Sequence, residues 1–143
     1  MIVDTLGVIK ILLSYQSKKR EVADFLDELQ KLLESDEFDI NTDLNLVRKK
    51  KQGDDQKFST PFTLLDLDYD AEDVVERLKE LKVEEYSETK IDKDDVNPPI
   101  LFVFGKGING KRIYVKLKIR DKQKQVVCVS FHYAKDKMEF PYA

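Results

Sequence analysis

The dipeptide Asn109-Gly110 constrains this chain more than any other feature, because it joins two runs that each read as a strand. A two-residue type I′ turn needs positive φ at both central positions, which asparagine and glycine tolerate and most residues resist. On one side stands "ILFVFGKG" and on the other "RIYVKLKIR". In the second run Ile113, Val115, Leu117 and Ile119 are apolar, while Arg112, Tyr114, Lys116, Lys118 and Arg120 between them are cationic or phenolic. That period of two describes a strand with one buried face and one basic strip.

A second hairpin returns through "DKQKQ" to "VVCVSFHY". The spacing therefore predicts three consecutive antiparallel strands, over 99–106, 111–120 and 125–133. In the last of them Val127, Val129, Phe131 and Tyr133 form the better apolar set, which leaves Val126, Cys128, Ser130 and His132 on the other face. A one-residue slip would turn a whole apolar set to solvent, so pairing must bring like face to like face. With Ile119 opposite Val127, Tyr114 falls opposite His132 and Lys116 opposite Ser130. A slip of two would offer His132 to Arg112 or Lys116 instead. Every allowed register gives His132, the only histidine of the chain, a phenolic or cationic neighbour.

Upstream the period changes. From Lys18 to Glu34, apolar residues at Val22, Phe25, Leu26, Leu29, Leu32 and Leu33 form one helical stripe. Asp70 is the N-cap of a second helix over "AEDVVERLKEL", with acids in its first turn to suit the helix dipole. Leu44 to Lys50 suggests a short edge strand, Thr60-Pro61 the start of a turn, and the aperiodic stretches 48–59 and 87–97 loops. Helices followed by consecutive antiparallel strands predict an α+β fold, with helices packed on one face of a β-meander. At 143 residues and 41% hydrophobic the chain suits one domain. Its expected parts are an N-terminal extension over 1–17, a helical part with loops over 18–97 and the meander over 98–143.

A net charge of −3 speaks against holding nucleic acid by a bulk basic field, so any RNA site must be local. Cys128 is the single cysteine, which removes a disulfide framework or a thiolate zinc site and suggests a reducing, cytoplasmic setting. The opening "MIVDTLGVIKILLSY" is broken by Asp4 and Lys10 and is too short to span a bilayer. No membrane association, metal or cofactor is expected. "GKGINGK" departs from the phosphate-loop pattern, since Arg112 replaces its Ser or Thr and no helix follows. "DLDYDAED" and "DKDD" lack the spacing of a calcium loop.

Histidine has an unperturbed pKa near 6.5 and can take or give a proton near neutrality. Neighbouring cations can hold a phosphate and stabilise charge developing on it. Cleavage of RNA without a metal needs those groups: a base for the 2′-hydroxyl, cations around the phosphorane and an acid for the departing 5′-oxygen. The plainer reading of the same residues is a solvated strip that blunts a sheet.

The segments "EVADFLDELQKLL", "TLLDLDYDAEDVVERLKELKVEEYSE", "FVFGKGINGKRIYVKLKI" and above all "VVCVSFHYAKDKMEFPY" resemble the MqsR-like toxins of bacterial type II toxin–antitoxin systems. The resemblance covers about residues 20–142. It implies a RelE-like fold, an endoribonuclease that cuts mRNA without a metal, and restraint by a cognate antitoxin protein. Position by position, it implies catalytic roles for Tyr114, Lys116 and His132. It further implies RNA contacts by Lys106, Arg112 and Lys118, with Tyr86 stacking on a base. For Lys106 the strict two-residue turn gives the opposite placement, on the apolar face against Ile113, and only a bulge at Gly105 or Gly107 would turn it outward. A non-catalytic RelE-like module that binds an antitoxin or another protein is the alternative function.

Overall fold

A computed structural model of the chain describes residues 13–122 and 124–143. A six-stranded, mostly antiparallel sheet forms its centre, and helices cover one face of it. The strands are β1 (Ser14–Tyr15), β2 (Leu44–Leu46), β3 (Tyr86–Ile91), β4 (Ile100–Ile108), β5 (Lys111–Arg120) and β6 (Gln125–Tyr133), in the spatial order β1-β3-β4-β5-β6-β2. Helix α1 (Lys19–Glu34) lays Val22, Phe25, Leu26, Leu29 and Leu33 against the sheet, with the Phe25 ring stacked 4.2 Å from that of Phe102. A short α2 (Ile40–Asp43) leads into β2. Helix α4 (Ala71–Lys79) buries Val74, Val75 and Leu78 and starts at Asp70, whose carboxylate accepts from the Asp73 N–H in a capping box.

Helix α3 (Thr60–Leu67) replaces the turn expected at Thr60-Pro61. Ser59 caps it, and a proline in the first turn fits because no helical N–H is needed there. Its hydroxyls complete the sheet. Strand β2 pairs with β6 in parallel only from Leu44 to Leu46, and beyond that point Thr60 and Thr63 accept the N–H groups of Phe131 and Tyr133, each at 3.0 Å. The edge strand foreseen near 44–50 is thus present but parallel, so the sheet is not a pure meander. The span 87–97, expected as loop, contains most of β3. A bulge at Ser87 shifts its register between Tyr86 and Glu88, which erases the period of two that would have betrayed it. The described end of the N-terminal extension adds β1 to the edge of β3; residues 1–12 lie outside the described part.

The central hairpin follows the sequence closely. Asn109 and Gly110 both have positive φ, and β4 pairs β5 without a bulge, Lys106 opposite Ile113. In the next pair Tyr114 faces His132 and Lys116 faces Ser130 as expected, but Ile119 faces Val126 rather than Val127. A second bulge, at Val129, absorbs the difference. Before it the even residues of β6 enter the core, and after it the odd ones do. Val126, Cys128 and Phe131 are consequently all fully buried, and Cys128 packs beneath the helices instead of joining the basic strip.

Candidate functional site

The helix-free face of the sheet is concave and holds a cleft of about 960 Å³. Its floor is the even side of β5 with Ser130 and His132 of β6, and its walls come from β3, the loop over 92–95, the segment after β2 and the C-terminal segment from Ala134 to Glu139. That last segment and the residues after it are fastened at four points. The Ala134 N–H donates to the Arg112 carbonyl at 2.9 Å, and Lys135 pairs with Asp55 at 2.9 Å. Further along, the Phe140 ring lies on Gly105 beneath the Arg112 guanidinium, 4.7 Å from it. Glycine is required at 105 by this approach: a Cβ there would stand 2.7 Å from the ring. Tyr142 then donates to the Ser17 carbonyl and stacks on Tyr86 at 5.8 Å.

His132, Tyr114 and Lys116 converge on the floor. The His132 and Tyr114 rings are stacked, 5.1 Å apart and 12° from parallel, as directly opposed residues of antiparallel strands permit. His132 Nδ1 lies 2.9 Å from the Tyr133 carbonyl oxygen. A carbonyl only accepts, so Nδ1 carries the proton and Nε2 keeps its lone pair. Burial pushes the imidazole pKa below 6.5; the Tyr133 carbonyl opposes this, and Lys51 and Lys116 reinforce it. The Tyr114 phenol is pushed up to about 12 by burial and by the charge of Glu88. Lys116 is pulled down from 10.5, chiefly by burial and then by Lys90, against the attraction of Asp92 and Glu88. Lys116 has no ion-pair partner among the described residues. Its Nζ sits 6.0 Å from the centre of the Tyr114 ring.

The other residues expected at an RNA site are placed differently. Lys118, on the same strip, is 1% exposed. Its ammonium is consumed by Asp92 at 2.6 Å, Asp95 at 3.3 Å and the carbonyls of Asp95 and Pro98. It ties the 92–98 loop to the sheet and offers nothing to a ligand. Lys106 points to the helix side, as the unbulged turn dictates, and stands 3.5 Å from both Glu80 and Glu85. Tyr86 is 0% exposed and cannot stack on a base; its hydroxyl accepts from the Ser17 N–H and shares a hydrogen bond with Thr89. Arg112 is exposed at the cleft's end, but one guanidinium nitrogen donates to the Gly105 carbonyl at 3.1 Å while the group covers Phe140. Sequence reasoning missed Lys90 and Glu88, concealed by the bulge in β3, and Asn45, Lys49 and Lys51 beside β6, on or just after the expected edge strand but not singled out for the site.

Asp92, Asp94 and Asp95 gather at one wall of the cleft, and Asp92 and Asp95 are already engaged by Lys118 and Arg120. Among the described residues no three His, Cys, Asp or Glu side chains are grouped to hold a metal. No described helix is long and apolar enough to cross a membrane.

Compared with family models, with curated proteins and with solved structures, the chain matches none.

Proposed function

We propose that the chain is the toxin of a bacterial type II toxin–antitoxin system, resembling the MqsR-like branch of the RelE-like ribonucleases, and that it cleaves mRNA in the cytoplasm without a metal ion. The observation that carries the reading is the trio on the cleft floor. An imidazole whose Nε2 keeps its lone pair stacks on a phenol and stands across the hairpin from an ammonium with no ion pair among the described residues. Neutral His132 takes the proton of a 2′-hydroxyl. Lys116 stabilises the charge that gathers on the phosphorane, and Tyr114, which keeps its proton at neutral pH, donates to the departing or non-bridging oxygen. Partial burial strengthens these interactions, because a drier site screens charge less.

A cognate antitoxin would restrain this activity by occupying the cleft. The test pairs digestion of mRNA in EDTA with induced expression in a bacterium. The wild type should cut and arrest growth, the neighbouring reading frame should relieve the arrest, and His132→Ala should lose about 10²–10⁴-fold in rate with its thermal midpoint held. Cutting by His132→Ala at the wild-type rate refutes the mechanism.

One observation favours the alternative, a non-catalytic module that binds an antitoxin or other protein. Two of the strip's cations, Lys118 and Arg120, are neutralised by Asp92 and Asp95, which thins the field available to RNA. Absence of cutting by a well-folded wild type that still binds its neighbour-encoded partner would establish that reading.

A further inference from the structure

The cleft extends along β6 well past His132, and there its character changes. Val129 and Val47, both half-buried, form an apolar floor, with Val127, only 4% exposed, at its edge. Val127 and Val129 are on this face because of the bulge at Val129, while Val126 and Cys128 enter the core; Val127 remains covered. In the parallel register of β2, Asn45 stands directly beside Val127, its side chain half-buried at the cleft wall and without a hydrogen-bond partner among the described residues. Above it lie Lys49 and Lys51, neither in an ion pair among the described residues; Lys51 donates only to the Phe58 carbonyl, at 2.8 Å. At about 3.3 Å of rise per residue, Val127 is roughly 15 Å along the strand from His132.

We propose that this end of the cleft is a nucleobase subsite that sets where the chain cuts RNA. The inference rests on the ribonuclease reading and adds a specificity-determining residue to it. A base lies flat on Val129 and Val47, which suit the apolar face of a heterocycle. The Asn45 amide meets the base edge with one donor and one acceptor in a plane, the pairing that an asparagine or glutamine makes bidentately with a base. Lys49 and Lys51 hold the flanking phosphates, and these contacts position the strand without reading it. A lone solvated asparagine on an edge strand would need neither the valine floor nor the two unpaired lysines beside it.

The experiment compares wild type with Asn45→Leu, which keeps the size of the side chain and removes both hydrogen-bonding groups, and with Val129→Glu, which sets a charge on the floor. Two readouts are taken. One is the map of cut ends in a long mRNA. The other is fluorescence anisotropy with four homopolymeric deoxytetranucleotides, which lack the 2′-hydroxyl and so bind uncut. The wild type is expected to prefer one base by about tenfold, the discrimination of one good bidentate contact. Asn45→Leu should reduce that preference to about twofold and redistribute the cuts, with total cutting within about threefold of wild type, since phosphate contacts and the trio are intact. Val129→Glu should weaken all four oligonucleotides about tenfold. An unchanged base preference and cut map in Asn45→Leu overturns the subsite and leaves the ribonuclease reading standing. A base preference that depends on Asn45 in a wild type that cuts no RNA upholds the subsite and overturns the ribonuclease reading. Failure of the wild type both to cut and to bind overturns both.

Discussion

Replacing Lys118 with methionine separates a cation that holds the fold from the cations that face the cleft. The substitution keeps most of the stem's volume and deletes the ammonium. That ammonium contacts two carboxylates and two carbonyls, and the side chains of the closest pair, Lys118 and Asp92, are only 2% and 9% exposed. Removing one partner of a buried pair leaves the other charge uncompensated, at a cost of about 3–5 kcal/mol. The low end applies here. Asp92 keeps the N–H groups of Asp94 and Asp95, and Asp95 keeps Arg120. At ~2.1 cal/mol/K of unfolding entropy per residue, a chain of 143 residues loses ~0.3 kcal/mol for each kelvin. A loss of about 3 kcal/mol therefore lowers the thermal midpoint by roughly 10 °C.

The same variant has a distinctive pH signature. Burial pushes the Asp92 carboxyl upward, but Lys118 and the two backbone N–H groups outweigh it and hold the pKa below 3.8. A carboxylate held low in the folded state stabilises fully above its unfolded pKa and ceases to do so as pH falls through the folded value. Without Lys118 the Asp92 pKa climbs, and protonation then removes the unpaired charge. The difference in midpoint between wild type and Lys118→Met should thus be largest near pH 7 and shrink below about pH 4. Melts followed by circular dichroism at pH 7 and pH 3, with RNA cutting assayed well below the lowered midpoint, check both parts. A drop of less than about 3 °C, or a difference indifferent to pH, refutes the buried tie. Cutting lost with the midpoint unchanged would make Lys118 an RNA contact after all.

Lys116→Met should behave in the opposite way: the ammonium there is penalised by burial and has no ion pair to lose, so the midpoint should hold or rise while cutting falls at least about 10²-fold. The rate of cutting should rise with pH as His132 loses its proton, with a midpoint below 6.5, and fall on the alkaline side as Lys116 titrates, below 10.5; a rising limb above pH 7 would show that another group is the base. Gly105→Ala should lift Phe140 from the sheet and destabilise by about 1–3 kcal/mol, the usual cost of overpacking, so limited proteolysis should release the residues after Ala134 sooner than in wild type.

What the sequence disclosed of the fold was everything that keeps a period. The stripe of α1, the Asp70 cap of α4 and the strands on either side of Asn109-Gly110 follow from spacing and turn chemistry; the structure agrees with each, with β4 running on to Ile108 rather than ending at 106. Two of the failures share one cause. At Ser87 and at Val129 one extra residue reverses the parity of a strand, and parity was the whole of the argument for which side chains share a face. In β3 this concealed a strand. In β6 it left the C-terminal half correctly assigned, which is why Tyr114 meets His132, and inverted the other half, which moved Cys128 from strip to core and set Val127, still buried, on the cleft face.

The basic strip shows a second limit, since parity gives direction but not accompaniment. Lys116 and Lys118 are two residues apart on one face of one strand, and no sequence period distinguishes them. Their difference is imposed by the loop over 92–98, whose carboxylates and carbonyls close over Lys118 and stop short of Lys116. That loop is polar, aperiodic and ends in two prolines, so nothing in its own residues announces where it docks. The consequence for the candidate site is specific. The loop neutralises the strip's outer end, at Lys118 and Arg120, and so leaves Lys116, beside the imidazole and the phenol, as the β5 lysine of the cleft lining with no ion pair among the described residues. A strip that looked from its spacing like a uniform track for a phosphate backbone is, once folded, two neutralised cations at one end, an arginine laid on Phe140 at the other, and Lys116 between them, where a proton donor and a proton acceptor already stand.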